Sequence, residues 1–345
     1  MNKKVLVTGG CGFIGSHTCL YYAQKGDKVV SFDNMTKSEL MRTGYATEGA
    51  RMYNWNKLKS LGVELIKGDV RDYEQLLKAA KGCDFIVHTA AQPAMTISWE
   101  DPDLDFTTNV LGTYNVLKTA REYKIPMVSC ATIHVYGTGI NDNLEEEEKR
   151  YLRNPPEIDE NQPIMTGLLT PLHASKRSAE IYLQTFVDTY KIKAASFRFT
   201  GMYGPNQFGG EDHGWVANFA IRAILDLPIN IFGSGKQVRD ILYAKDAALA
   251  FDAFYLNQKS GIYNIGGGSK AAISLLECIA LLEEITGKKI QVNFAPDRPG
   301  DLRYFVCDTK KAQKELNWQA NVLPKDGITN LVNWIKENIN LFKKQ

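Results

Sequence analysis

Short apolar runs rich in β-branched residues recur through the first part of the chain. They lie at Val5–Val7, Val29–Phe32, Val63–Ile66, Phe85–His88, Met127–Cys130 and Ala195–Phe199, and each reads as a buried strand. Between them, Tyr73–Ala80, Asp105–Tyr123 and Ser175–Tyr190 carry apolar residues at helical spacing. Strand and helix alternate, so the connections are crossovers and the strands run parallel. The pattern predicts an α/β fold, a doubly wound parallel sheet with helices on both faces. Ligands of such sheets bind beyond the carboxyl ends of the strands, and the polar motifs of this chain follow those ends.

The rhythm breaks at 138–170, a stretch that is acidic, Pro-rich and without a clear period. It reads as a surface insertion near the mouth of the site. After residue 200 the elements shorten and Gly/Pro-rich loops multiply. Residues 1–200 are therefore expected to form the main domain. Residues 201–345 are expected to form mainly a smaller C-terminal lobe for substrate, with 240–270 returning to the main domain.

The first strand runs directly into Thr8-Gly9-Gly10-Cys11-Gly12-Phe13-Ile14-Gly15. Gly9 allows a tight strand-to-helix turn, Gly12 lets backbone approach a diphosphate, and Gly15 lets the helix sit close to the strand. The N–H groups of the helix start then face an anion. The second strand ends in Asp33, about 20 residues beyond this turn, where a carboxylate meets an adenosine ribose. This is a Rossmann-type dinucleotide site. An acid at that position would repel a 2′-phosphate, so the cofactor is read as NAD.

Composition narrows the rest. The 39 acidic and 41 basic residues nearly balance, so no long-range field marks the chain for nucleic acid or a membrane surface. No apolar stretch approaches about 20 residues, the length of a membrane span. The first strand is expected to begin almost at once, and on that reading no signal peptide is expected. Cysteines at 11, 19, 83, 130, 278 and 307 form no Cys-x-x-Cys pair, and no His/Cys cluster has metal spacing. They read as buried thiols in a reducing, cytoplasmic setting.

Further motifs follow successive strands: Gly68-Asp69-Val70-Arg71-Asp72, His88-Thr89-Ala90-Ala91-Gln92, and Thr132-Ile133-His134-Val135-Tyr136-Gly137. Ser175-Lys176 opens a helix. Beyond come Met202-Tyr203-Gly204-Pro205, Gly235 to Asp240, and Arg298-Pro299-Gly300-Asp301. In this ordered set the chain resembles the extended short-chain dehydrogenase/reductase family, the nucleotide-sugar epimerases and dehydratases. The stretches Ala91 to Thr96, Gln207-Phe208 and His213 to Val216 are most similar to its CDP-tyvelose (CDP-paratose) 2-epimerase subgroup. The resemblance implies a homodimer formed through the Asp105–Tyr123 and Ser175–Tyr190 helices, acting on a nucleotide-diphosphate sugar. It implies that Gly9, Gly12, Phe13, Ile14, Gly15, Asp33, Asn34, Asp69, Val70, Ala90 and Ala91 hold NAD, with Asp69 at the adenine amine. Lys176 would bind the nicotinamide ribose, and Thr132 the reacting sugar hydroxyl. Gln92, Thr200, Gln207, Arg239 and Arg298 would meet the substrate, the two guanidinium groups at its diphosphate. Asn109 is expected to brace the sheet.

One position departs from the family. Its signature is Tyr-x-x-x-Lys, and four residues before Lys176 stands Leu172. Leucine cannot serve as general acid or base. Three readings stay open: another residue moves the proton, the reaction is altered, or the chain binds without turnover. His134 is the preferred replacement, because a neutral imidazole of pKa about 6.5 accepts a proton at physiological pH. His173 adjoins the lost tyrosine but is expected to point elsewhere, since one helical residue rotates a side chain by about 100°. Dehydration is disfavoured because Ile133 and His134 stand where the dehydratases carry an Asp-Glu pair. A simple dehydrogenase would need an external acceptor.

Overall fold

A computed structural model describes residues 2–36, 40 and 43–343. Seven strands form the central sheet: β1 (Lys4–Thr8), β2 (Lys28–Asp33), β3 (Glu64–Lys67), β4 (Phe85–His88), β5 (Met127–Thr132), β6 (Ala194–Phe199) and β7 (Gly261–Ile265). Their order is β7-β6-β5-β4-β1-β2-β3 and every neighbouring pair is parallel. The chain works outward from β1 in one direction and then from β4 in the other. This reversal opens a crevice at the carboxyl ends of β1 and β4.

Both faces of the sheet are covered, which is why its strands read as continuous apolar runs. On one face, α1 (Phe13–Gln24) and α9 (Ala244–Asn257) bring Cys19, Tyr22, Phe251 and Phe254 against Val5, Phe85 and Phe197. On the other, α3 (Tyr73–Ala79), α6 (Gly112–Tyr123) and α7 (Pro171–Tyr190) bury Leu76, Val116, Leu117, Leu183 and Phe186 on Leu6, Val30 and Ile86. Each large apolar side chain so buried contributes about 1.5–3 kcal/mol relative to exposure. Two-pronged hydrogen bonds from Arg198 of β6 to Glu180 of α7, at 2.8 and 2.9 Å, pin that helix to the sheet.

Two helices differ from their sequence reading. The segment expected as one helix from Asp105 to Tyr123 is α5 (Pro102–Phe106), a π turn (Thr107–Leu111) and then α6. A π turn leaves no mark in a 3.6-residue period. Helix α7 starts at Pro171, four residues before Ser175, because Thr170 caps it and proline at the first helical position lacks only an N–H that would go unpaired anyway. This puts Leu172 inside the first turn and Lys176 one turn later.

A second core lies in the C-terminal part. There α8 (Trp215–Ile224), α10 (Leu275–Thr286) and α12 (Pro324–Glu337) pack Val216, Phe219, Leu282, Ile328, Leu331 and Ile335 together. Between α8 and α10 the chain goes back to the first core, where α9 lies on α1 and β7 completes the sheet. Later, α11 (Lys310–Leu316) settles on α9 through Ala312 and Leu316. Helix α2 (Ala50–Ser60) spans the two cores, with Leu58 in the first and Ala50 in the second. Residues 138–170 lie on the surface for much of their length. They attach to the second lobe, where Ile140 and Ile158 cluster with Leu302, Tyr304 and Phe305. No residue of this insertion lines the cleft described next, although the sequence placed it near the mouth. Among the described residues, no helix is long and apolar enough to cross a membrane.

Candidate active site

A cleft of about 460 Å³ opens at the carboxyl ends of the strands and runs into the second lobe. The glycine turn forms its floor. Gly9 has φ +68°, and a Cβ there would stand 2.7 Å from the Ala90 nitrogen. A Cβ on Gly12 would stand 3.0 Å from the Gly9 carbonyl oxygen, and one on Gly15 would land on that oxygen. The turn thus has room only for backbone, which suits a diphosphate drawn against the start of α1. Asp33, at the end of β2, is buried and does not itself line the cleft. Its carboxylate accepts from Cys11 N at 2.9 Å and Met35 N at 2.7 Å.

The adenine end differs from its sequence reading. Asp69 accepts from Arg71 N, Arg71 Nε, Arg71 Nη2 and Asn34 Nδ2 at 2.7–3.0 Å, and these bonds hold its carboxyl down to about 2. A carboxylate has about four lone-pair sites, so none is left for an adenine amine in this arrangement. Val70 is buried, and its carbonyl accepts from Asn115 Nδ2 at 2.9 Å. Ala91 lines the cleft.

Gln92 also departs from expectation. It is buried, with Nε2 donating to Ala94 O and Asp105 Oδ1, and Oε1 accepting from Ala94 N. It does not line the cleft and is closed to substrate. Asn109, aimed by the π turn, ties the same knot: its amide bonds Gln92 N, Gln92 O, Asp105 and Ser175 at 3.0–3.2 Å. The sequence expected Asn109 to be a brace. What it braces is the loop after β4 against the start of α7.

At the reaction corner, Thr132, His134, Leu172 and Lys176 all line the cleft. Thr132 ends β5 and its Oγ1 accepts from His134 N at 3.2 Å, capping the short turn that follows. Leu172 and Lys176, four residues apart, share one face of α7. Lys176 Nζ makes one long hydrogen bond, 3.5 Å to Cys130 O, and burial lowers its pKa.

His134 does not keep the ordinary imidazole pKa that its choice as a base assumed. Burial, with the charge of Arg239 and the nearby His173, lowers it to about 3, and Nδ1 has no partner. It is neutral at physiological pH, as expected, but a weak base. His173 does not line the cleft. Its Nδ1 bonds Thr170 N and Thr170 Oγ1 in the cap of α7, at 3.0 and 2.7 Å. Its ring nevertheless stands edge-on to His134, with centroids 5.8 Å apart.

Toward the second lobe the cleft is lined by Thr200, Gln207, Arg239 and Arg298. Arg239 donates to Asp301 Oδ1 at 3.2 Å and to Leu302 O. Arg298 donates to Glu211 O at 2.7 Å and lies 3.5 Å from the Phe232 ring centre. Sequence reasoning passed over Arg51, Glu211 and Asp212, which also line the cleft. Glu211 and Asp212 carried a faint signal, as acids between Gly210 and His213-Gly214. Arg51 carried none. It reaches back from α2, donating to Thr36 O at 3.0 Å.

Over residues 5–266 the chain matches the NAD dependent epimerase/dehydratase family. It is 33% identical to the CDP-paratose 2-epimerase of Salmonella typhi, an alignment covering 96% of this chain and 98% of that protein. The UDP-glucose 4-epimerase of Thermus thermophilus, solved in complex with NAD, has a TM-score of 0.78 at 32% identity, covering 96% of this chain and 99% of the other. The UDP-glucuronic acid 4-epimerase of Bacillus cereus, solved with UDP-glucuronic acid and NAD, has a TM-score of 0.81 at 27% identity, covering 97% and 99%.

Proposed function

The chain belongs to the NAD dependent epimerase/dehydratase family, and from that premise we propose that it inverts one carbinol centre of a nucleotide-diphosphate sugar by transient oxidation, as a relative of the CDP-paratose 2-epimerases. The observation that carries the reading is the meeting in one cleft of the glycine turn, the Thr132–Lys176 corner and the Arg239–Arg298 end. Bound at the glycine turn, NAD supplies reversible acceptance of a hydride. The backbone of Gly9 to Gly15 holds the cofactor diphosphate, with Phe13 and Ile14 at the helix start. Asp33 and Asn34 take the adenosine ribose, and Val70, Ala90 and Ala91 flank the dinucleotide. Lys176 holds the nicotinamide ribose and Thr132 fixes the sugar hydroxyl. Arg239 and Arg298 bind the substrate diphosphate, with Thr200 and Gln207 beside the sugar. Residues 1–200 thus serve mainly the cofactor and 201–345 mainly the substrate.

Two copies pair through α5, α6 and α7. Phe106, Leu111, Ile181, Tyr182 and Tyr190 are exposed there, and their apolar area supports that contact. Six free cysteines suit a reducing cytoplasmic setting. The test is a panel of CDP-, UDP-, dTDP- and GDP-sugars followed by NMR on purified protein. One isomer converting to another supports the reading. A thermal shift without conversion would leave a binding protein, and purified protein with neither NAD(H) nor a thermal shift from it would refute the cofactor assignment.

A further inference from the structure

Leu172 removes the hydroxyl that would stand between Lys176 and the sugar, and the cleft holds few groups that can take its place. His134 is too weak a base, with its pKa at about 3. Burial pushes the Cys130 thiol up to about 12, so it stays protonated. Asp301 is paired with Arg239, and Glu211 accepts from Asn230 at 2.6 Å. Thr132 is a hydroxyl, able to relay or hold a proton but not to keep it. Lys176 remains. It lies one turn beyond Leu172 on the cleft-facing side of α7, and a leucine side chain offers no polar atom to screen its amine.

Resting on the function proposed above, we infer that Lys176 is itself the general acid–base of this protein, its neutral amine taking the proton of the sugar hydroxyl that Thr132 holds. In that step the sugar O–H bond breaks and an N–H bond forms on Lys176. The accompanying hydride would pass to NAD, when bound, and come back from it, and Lys176 would return its proton in the second half-reaction. Burial lowers the pKa of Lys176 and outweighs Cys130 and Asp105, which raise it. His88 of β4 is neutral, with both ring nitrogens bonded to Thr8 and Thr113. Cys130 of β5 is a neutral thiol. Asp105 of α5 is the acid facing it, and burial raises that carboxyl while Gln92 and Asn109 occupy it.

Competitive labelling of the wild-type protein with acetic anhydride, read by mass spectrometry across pH, measures this without any sugar. The reactivity midpoint of Lys176 is expected at lower pH than that of Lys289, which is exposed. A Lys176→Ala variant that still shifts thermally with NAD should lose sugar conversion and regain it with added methylamine or ethanolamine, at rates that follow amine basicity. Coincident midpoints, or no rescue by either amine, would overturn the proton role and leave Lys176 as a ribose ligand. Turnover absent across the sugar panel with a low Lys176 midpoint would refute the functional reading, and the proton role with it. Turnover present with an ordinary midpoint would refute the proton role alone.

Discussion

The cofactor floor and the reaction corner face each other across one cleft, and their polar groups are treated in opposite ways. On the floor, the bonds close on the protein itself: Asp33 on Cys11 and Met35, Asp69 on Arg71 and Asn34, His88 on Thr8 and Thr113. Around the reaction corner and the second lobe they stay open. His134 Nδ1, Thr96 Oγ1, Gln207 Oε1, Asn218 Oδ1 and Gln237 Oε1 are buried without a partner. A buried polar atom left unpaired costs about 1–3 kcal/mol, and all five of these residues line the cleft, where a ligand can pair them. The floor is built in advance for one fixed cofactor. The corner keeps its hydrogen-bonding capacity for what passes through, and Leu172 stands there at the position where the resemblance implies tyrosine.

The sharpest break in that contrast is at Gly15. Its replacement by valine drives side-chain atoms into the Gly9 carbonyl, and we expect loss of all NAD-dependent thermal stabilisation, read by differential scanning fluorimetry. At the corner, Lys176→Met should lower kcat about 10²–10⁴-fold, the usual contribution of general acid–base catalysis. His134→Gln should cost far less. An equal loss in the two variants would return the proton to the histidine. The pH profile separates them as well: kcat rises with pH as Lys176 loses its proton, through a limb below the ordinary lysine range, whereas a His134 base would give no limb near neutrality.

Stability carries a further signal. His17, His88, His134, His173 and His213 are all held neutral by burial, with pKa values lowered from 6.5 to about 3 or 4. Below pH 6.5 the unfolded chain takes up protons that the folded chain refuses. Stability should therefore be full above that pH and fall toward pH 4, by up to about 1.4 kcal/mol per pH unit for each histidine. Urea denaturation at stepped pH measures the slope, and a flat profile would contradict the burial of these rings. The smallest effect is expected at Thr170→Ala, which removes the cap of α7 and should cost about 1 kcal/mol. Because that cap sets the register of Leu172 and Lys176, kcat should fall more than stability does.

Much of the floor was legible in the sequence because local rules decide it. Parallel strands buried on both faces give continuous apolar runs, and a turn that admits only backbone demands glycine. Strand β7 was missed because Gly261-Ile262-Tyr263-Asn264-Ile265, at the sheet edge, carries glycine and asparagine and so gives no continuous apolar run. At the corner, Leu172 was legible from spacing alone. The basicity of His134 was not, because it is lowered first by burial in the fold and then by Arg239 and His173, which come from distant parts of the chain. Gln92 looked available because its side-chain partners, Ala94 and Asp105 of α5, meet it only in the fold, while Asn109 of the π turn holds its backbone.

The reaction proposed for this protein is inversion through oxidation with a retained cofactor. Its most direct test is conversion of nucleotide-diphosphate sugars by the purified protein in D₂O, followed by proton NMR with absorbance recorded alongside. The expected result is a new isomer that keeps its original proton on the inverted carbon, with no accumulating NADH. Deuterium at that carbon, or NADH rising in step with product, would contradict the account.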